Sequence, residues 1–499
     1  MSSGRDSRRV AYETVRAVHD SDAYANLLLP TSITRAGLDT ADAALATELT
    51  YGTLRRQGTY DAIIAIAADR PAQEIDPAVL DALRLGVHQL LSTRVASHAA
   101  VNESVELVRS AVGRGPAGFT NAVLRRVSRD TPGDWMTRVE QSARSDDERL
   151  GVVFSHPVWI VRAFRRALAA EGRADELEAL LTADNASPRV TMAALPDLVD
   201  VPEEARRTPY SPIGFRLGGG DPESIIRESD GLLRVQDEGS QLAALALSRA
   251  EPVRAGERWL DLCAGPGGKT AVLAAEALAG GAILEANEVS PARAGLVRRA
   301  IAGIPLDVDV SEQDGRVRAA ESPGVYDRIL VDAPCTGLGA LRRRPEARWR
   351  KSPADVPSLV ELQTELLSAA VVALRPGGIV AYVTCSPHLA ETVGVVAEVR
   401  RAFGDVIEEL DTRAVIKSFS TTDPNLLPPA DGSGRAQLWP HRHNTDAMSI
   451  SLLRRVRASA SLQDPESGCS QVELRAQGDE CRGMGARERA HVQQHLRAW

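Results

Sequence analysis

Two cysteines stand where apolar strands give way to short polar turns. Asp332-Ala-Pro-Cys335-Thr-Gly337 follows the run Arg328 to Ala333, and Val383-Thr384-Cys385-Ser386 closes the run Ile379 to Cys385. In a parallel sheet the ends of adjacent strands share one rim, so the two thiols are expected to face one pocket. A free cysteine often serves only as a small apolar filler, but a pair at neighbouring strand ends suits covalent chemistry better. One reaction that needs two thiols is methylation at carbon 5 of a pyrimidine. C5 of cytosine is a poor nucleophile, and addition of a thiolate to C6 makes it enamine-like and able to attack a sulfonium methyl. The C5 proton must then leave and the thiolate be expelled, a task for a second group of suitable pKa. Asp332 is placed to hold the N3 and N4 edge of the base, and Lys269 to lower a thiol pKa or meet the RNA backbone.

The methyl donor is read from Asp261-Leu-Cys-Ala-Gly-Pro-Gly-Gly-Lys-Thr270, a glycine-rich turn between a strand and a helix. Such a turn brings backbone close to a nucleotide of some kind. Gly268-Lys269-Thr270 imitates the end of a phosphate-binding loop, and Arg328-Ile-Leu-Val-Asp332 imitates the acidic strand that accompanies one. Yet Cys263 stands where the first glycine of that pattern belongs, and Pro266 removes a backbone donor. The second strand ends in Asn287-Glu288, ~20 residues on, where an acid can accept from ribose hydroxyls. Asp314, in Asp314-Gly315-Arg316, is placed for the adenine amino group, although Asp-Gly is also an ordinary turn dipeptide. An adenosyl cofactor, S-adenosyl-L-methionine, is therefore preferred over a triphosphate.

The elements that must position these loops alternate regularly after Gln236. Strands are expected at Arg258 to Ala264, Ala282 to Val289, Asp307 to Val310, Arg328 to Ala333 and Ile379 to Cys385. Helices are expected at Lys269 to Leu278, Pro291 to Ile301, Pro357 to Leu374 and Leu389 to Phe403, and a late strand, Ser449 to Arg454, at the sheet edge. This is the pattern of a mainly parallel sheet with helices on both faces, a Rossmann-like α/β domain over 236–456. Residues 1–143 show helical spacing, as in Val10, Thr14, Val15 and Val18 or Leu80, Leu83, Leu90 and Leu91, and predict an all-α domain. Residues 144–235, with a helical stretch Val158 to Leu181 and then segments broken by prolines and the run Gly218 to Gly220, predict a small α+β connecting domain. The tail 457–499 is polar, with a short helix expected near Ala486 to Arg497.

With 499 residues, 43% hydrophobic and 25% charged, the chain has the profile of a multidomain globular protein. No apolar run approaches the ~20 residues of a membrane span. The polar, Arg-rich start MSSGRDSRRV is unlike a secretory signal. A cytoplasmic protein without a membrane partner is expected. The net charge of −8 gives no global support for a nucleic-acid partner, so an RNA site must be local. All five cysteines (Cys263, Cys335, Cys385, Cys469, Cys481) lie after residue 262, which excludes a disulfide framework.

Cys-Ala-Gly-Pro-Gly-Gly-Lys-Thr, Asp-Ala-Pro-Cys-Thr-Gly and Thr-Cys-Ser together resemble the RNA cytosine-5 methyltransferases. The resemblance implies that Cys385 is the nucleophile and that Cys335 aids product release. DNA cytosine-5 methyltransferases attack with their Pro-Cys cysteine and normally follow it with Gln, whereas Thr336 stands here, so DNA is not the expected substrate. The Asn/Asp-Pro-Pro-aromatic motif of amino-methylating enzymes is absent. Leu49-Thr-Tyr-Gly-Thr-Leu-Arg55, His98-Ala-Ala-Val-Asn-Glu-Ser104 and Gly118-Phe-Thr-Asn-Ala-Val-Leu-Arg125 look like a NusB-type helical domain. That arrangement is similar to the RsmB/Sun (Fmu) subfamily, whose members methylate a cytosine of small-subunit (16S) ribosomal RNA, and it implies a monomer acting on that RNA. The cofactor contacts it implies are Cys263, Ala264, Gly265, Pro266, Gly267, Gly268, Lys269, Glu288, Asp314 and Asp332. The chain departs from the family at Glu391-Thr392, where Glu-Asn is usual, and where Pro440-His441-Arg-His443-Asn-Thr445-Asp446 continues into Ala-Met-Ser. The same chemistry on tRNA, and an RNA-binding assembly factor without turnover, both remain open.

A local basic site is expected in Leu341-Arg-Arg-Arg-Pro-Glu-Ala-Arg-Trp-Arg-Lys351, whose six cations and one aromatic suit phosphate contacts and stacking. A solvated basic loop is the alternative. The spacing of Cys469, Cys481, His491 and His495 differs from that of zinc knuckles, so no metal is expected.

Overall fold

The computed structural model describes residues 3–21, 23–218 and 222–456. The tail cysteines and histidines and the helix expected near 486–497 lie outside them. Residues 3–141 form eight α-helices, Ser3–Asp20, Ala25–Ala36, Thr40–Arg55, Gln57–Ala68, Pro77–Ser92, Ser97–Ala111, Ala117–Val127 and Pro132–Gln141. The helical spacing identifies their inner faces, since Val10, Val15, Val18, Leu80 and Leu83 are all buried. Helix Pro77–Ser92 runs through the middle of this bundle. Asp76 starts it by accepting from the amides of Ala78 and Val79, with Pro77 in the first turn, where no amide donor is needed.

Next come helices Asp146–Val153, Val158–Ala169 and Leu177–Asp184. The single helical stretch expected over Val158 to Leu181 is therefore broken. Gly172 takes a left-handed conformation with φ 69°, and the chain restarts through a 3-10 turn at Ala174–Glu176. A small antiparallel sheet follows, from β1 (Thr191–Ala194), β2 (Arg206–Arg207), β3 (Gly214–Arg216) and β4 (Leu233–Val235), in the order β2-β3-β1-β4. Met192, Phe215 and Leu233 bury one face of it.

The second sheet holds β5 (Arg258–Asp261), β6 (Ile283–Asn287), β7 (Asp309–Ser311), β8 (Tyr326–Asp332), β9 (Leu374–Thr384), β10 (Ile407–Glu409), β11 (Ala436–Gln437) and β12 (Ser449–Arg455). Its order is β10-β12-β9-β8-β5-β6-β7, parallel from β9 to β7, with β12 antiparallel to β9. Ile329, Leu330 and Val331 of β8 are all fully buried, because helices cover both faces of the sheet. Helices Glu238–Ser248 and Gly268–Gly280 pack on one face, and Val356–Ala373 and Val395–Phe403 on the other. Cutting Ile329 or Leu330 to Ala would cost ~2–5 kcal/mol. The chain turns outward from β5 in both directions, to β6 on one side and β8 on the other, so the crevice for a ligand opens beyond the carboxyl ends of these strands.

The expected fold class is the observed one: an all-α amino-terminal region, a mixed segment, and an α/β domain. One placement is corrected. The late strand does not close the edge, because β12 lies inside the sheet and β10, a three-residue Ile-Glu-Glu strand without apolar alternation, pairs outside it. The stretch Pro353–Ala373 is long and apolar enough to cross a membrane by length and composition. Here it is a core helix, with Leu366, Leu367, Ala370 and Val371 buried against β8 and β9.

Candidate active site

The two cysteine turns meet at the rim of β8 and β9. Cys335 Sγ lies 3.5 Å from Cys385 Sγ. Cys335 is fully buried, whereas Cys385, just beyond the end of β9, is partly exposed. The turns are tied by backbone: Gly339 donates to the Cys385 carbonyl (2.8 Å), and Ala447 donates to the Gly339 carbonyl (2.9 Å). A Cβ on Gly339 would lie 2.0 Å from the Ala447 carbonyl oxygen, so this approach requires glycine.

Charge around the pair is uneven. The Cys335 S–H donating to Cys385 holds the Cys385 thiol below its ordinary range, and the Lys269 ammonium acts in the same direction against burial, Asp332 and Asp446. Cys335 is pushed well up by that same contact, then by burial, by the charge on Cys385 and by Glu391. Lys269 Nζ sits 2.7 Å from Asp332 Oδ2. Burial works against the charge on Lys269, but Asp332 outweighs it and the ammonium is retained. A negative charge on the pair is thus favoured at the open position, Cys385, over the closed one, Cys335.

Glu391 was not among the residues singled out for chemistry. It is fully buried, in a π-helical turn at Ala390–Gly394, and its carboxylate joins both turns. Oε1 accepts from the Thr336 amide (2.7 Å) and from Gln363 Nε2 (3.2 Å), and Oε2 from Thr336 Oγ1 (2.5 Å) and Ser386 Oγ (2.7 Å). The sequence signal for it was its place in Glu391-Thr392, where the family usually has Glu-Asn.

Around the glycine-rich turn, Gly265 donates to Glu288 Oε2 (2.9 Å) and Ser290 to Glu288 Oε1 (3.0 Å). Glu288 is thus buried as the pin of the loop, with Arg293 Nη2 3.7 Å from its carboxylate. Cys263 is partly exposed; burial first, then Glu288, Asp261 and Asp332, push its thiol well up. Ala264 and Gly267 are buried, Gly268 and Lys269 partly so, and Pro266 is exposed. Helix Gly268–Gly280 starts at Gly267 without a side-chain cap, leaving its first amides free for a ligand. Asp314 sits farther out, caps helix Gly315–Ala320 through the Arg316 amide and pairs with the Arg316 guanidinium.

These residues fit S-adenosylmethionine. A Cβ on Gly265 would lie 2.3 Å from Glu288 Oε2, so the loop leaves space only for backbone at that point. Asp261 Oδ1 and Gln236 Oε1 are buried acceptors without a protein partner. Burial raises the Asp261 carboxyl to about 7, with Asp332 and Glu288 adding to the effect. A rim of acids and acceptors suits a ligand that brings an ammonium, a sulfonium and hydroxyls, and repels a triphosphate. Lys269, committed to Asp332, does not project into the loop as a phosphate ligand.

The basic segment after Cys335 is not the solvated loop of the alternative: most of its arginines bond protein, while Arg343 and Trp349 stay exposed. Arg342 is buried and bonds Asn444 Oδ1 (2.9 Å) and the Asn444 carbonyl (2.8 Å); Arg343 pairs with the buried Asp446. Arg348, fully buried, donates to the carbonyls of Arg55 (2.9 Å), Ser155 (3.1 Å) and Asp184 (2.8 Å) and to Asn185 Oδ1 (2.8 Å). Arg350 bonds the Val18 and Ala23 carbonyls, and both Arg344 and Arg350 lie over the Tyr24 ring. Arg348 and Arg350 thereby hold the helical region against the α/β domain.

The model of the 16S rRNA methyltransferase RsmB/F family matches residues 250–454, and that of the NusB family residues 5–129. A Mycobacterium tuberculosis protein, named only as a methyltransferase, is 49% identical over 456 residues, covering 90% of this chain and 96% of the relative. Ribosomal RNA small subunit methyltransferase B of Pseudomonas putida is 32% identical over 402 residues, covering 78% of this chain and 87% of its own. The crystal structure of PH0851 shares the fold, with a TM-score of 0.74 and 21% identity across 90% of this chain and 99% of that one.

Proposed function

The chain belongs to the RsmB/F family of 16S rRNA methyltransferases, and from that premise we propose that it methylates carbon 5 of a cytosine in small-subunit ribosomal RNA, Cys385 attacking and Cys335 releasing. It is an S-adenosylmethionine-dependent RNA methyltransferase. The observation that carries the finer reading is the 3.5 Å contact between a partly exposed thiol and a buried one.

The bound cofactor supplies a transferable methyl group; Cys263 to Gly268, Glu288, Asp314 and Asp332 are the residues proposed to hold it. Cys385, ionised beside the Cys335 S–H and the Lys269 ammonium, forms a bond to C6 of an unpaired or flipped cytosine. Asp332, steadied by Lys269, faces the N3 and N4 edge and stabilises charge that builds there. Once Cys385 is a thioether, it no longer holds the Cys335 proton in place, because contact with ionised Cys385 is the main cause of the raised Cys335 pKa. Cys335 then gives its proton to solvent and takes the one on C5. The C6–S bond breaks, the Cys385 thiolate returns, and the starting pair of thiol and thiolate is restored. The net change is one methyl gained and one proton lost by the base.

Bisulfite mapping of RNA from cells lacking this protein tests the reading. One protected cytosine in small-subunit rRNA is expected to vanish, and to return with the wild-type chain but not with Cys385→Ala. An unchanged rRNA map refutes the rRNA substrate, and a lost tRNA signal redirects the same chemistry there.

A further inference from the structure

We propose that the Glu391 carboxylate, clamped between the two cysteine turns, is a positioning residue that keeps Cys335 protonated and so makes Cys385 the nucleophile. This rests on the assignment of Cys385 above. Two thiols 3.5 Å apart share one proton more readily than they hold two charges, so an outside charge must select the site that keeps it. The selecting charges lie on opposite sides. Lys269, Asp332, Arg343 and Asp446 surround Cys385, and the ammonium of Lys269 favours a thiolate there against Asp332 and Asp446. Glu391 and the Tyr382 hydroxyl face Cys335, with His388 beyond Glu391. A negative carboxylate beside Cys335 disfavours a second negative charge on it, and no cation of the described residues is among the main influences on Cys335.

The clamp also sets geometry. All four acceptor positions of Glu391 are used, by the residue after Cys335, the residue after Cys385 and Gln363, which itself donates to the Pro334 carbonyl (2.7 Å). The Tyr382 hydroxyl donates to the Glu391 carbonyl (2.7 Å), so the backbone is anchored to β9 as well. Thr336 Oγ1 and Ser386 Oγ lie 3.0 Å apart, closing the ring around the carboxylate. Removing the charge and removing one clamp bond should have different effects.

The test is the pH dependence of iodoacetamide alkylation at Cys385 and Cys335 in the full chain, resolved by peptide mass spectrometry without RNA or cofactor. In the wild type, Cys385 reacts at lower pH. Glu391→Gln should lower the Cys385-to-Cys335 rate ratio at neutral pH about tenfold, the equivalent of one pKa unit. Ser386→Ala, which keeps the charge and loses one clamp bond, should hold the ratio within about twofold of wild type and lower kcat without changing cofactor KM. A folded Glu391→Gln with the wild-type ratio overturns the proposal. So does a Ser386→Ala ratio that collapses, which decides the matter even if Glu391→Gln does not fold. Because alkylation needs no substrate, failure here is separable from failure to methylate rRNA. If the wild type reacts first at Cys335, the assignment of Cys385 fails instead.

Discussion

Replacing Cys335 with alanine sets two effects against each other, and their sizes predict which is seen. The first falls on attack. Cys335→Ala removes the S–H that donates to Cys385 across 3.5 Å, the main cause holding the Cys385 thiol down. A rise of one unit cuts the thiolate present at neutral pH, and with it the attack rate, about tenfold. The second falls on release. The variant lacks the group that takes the C5 proton, and general acid-base catalysis is worth ~10²–10⁴. Release is therefore slowed about 10- to 1,000-fold more than attack, and enzyme bonded to methylated RNA accumulates. A denaturing gel of enzyme, a small-subunit rRNA fragment and S-adenosylmethionine should show a slow protein–RNA band for Cys335→Ala. Cys385→Ala and the double variant should show none. Trapping by Cys385→Ala would reverse the assignment, and normal turnover by Cys335→Ala would remove Cys335 from the release step.

Lys269→Met should move the Cys385 alkylation midpoint upward in pH, because the cation favouring its thiolate is lost and Asp332 is left uncompensated; an unmoved midpoint would show that Lys269 serves only Asp332. Arg348→Ala should cost ~3–5 kcal/mol in denaturant unfolding, since buried acceptors left without a donor cost ~1–3 kcal/mol each and water recovers part of this; a loss below ~1 kcal/mol would mean the junction holds without it. Burial raises the Asp184 carboxyl to about 7, against the pull of Arg348. Its folded pKa thus exceeds its unfolded value, so its contribution to stability is full below about pH 4 and is lost as pH rises through about 7. The wild type minus Asp184→Asn should therefore show stability falling across that window, and parallel profiles would refute the raised pKa.

The parts of the molecule legible in sequence are those whose physics is local. The central strands are covered on both faces, so Ile329, Leu330 and Val331 form an uninterrupted apolar run. The glycine-rich turn declares itself because only backbone fits beside Glu288. The two cysteines follow strand ends, and parallel pairing of β8 with β9 brings them together. What the sequence hides is set by partners distant in the chain. Strand order is one case, since nothing within Ser449–Arg455 shows that β10 will pair outside it. Glu391 is another, because its four donors come from three separate segments. The charge run from Arg342 to Lys351 misleads for a related reason. Arg348 and Arg350 are held mainly by carbonyl oxygens, and a backbone acceptor leaves no mark on residue identity.

That misreading bears on how RNA reaches the site. The chain leaving Cys335 bonds the Cys385 turn through Gly339, crosses to Asp446 and Asn444 through Arg343 and Arg342, and enters the helical region through Arg348 and Arg350. The peptide that carries Cys335 is thus also the tie that sets the amino-terminal helices against the rim of β8 and β9. Arg348 and Arg350 are spent on carbonyl oxygens, so fewer of the segment's cations are left to contact phosphates directly. If RNA is recognised by shape and by groups on both regions, their relative placement, held by Arg348, is expected to decide which unpaired base can reach Cys385. Substitutions at this buried arginine should therefore change the choice of cytosine as well as stability. Methylation by Arg348→Lys mapped on small-subunit rRNA checks this: modification of additional cytosines is expected, and an unaltered single site at full yield would show that the tie does not contribute to selection.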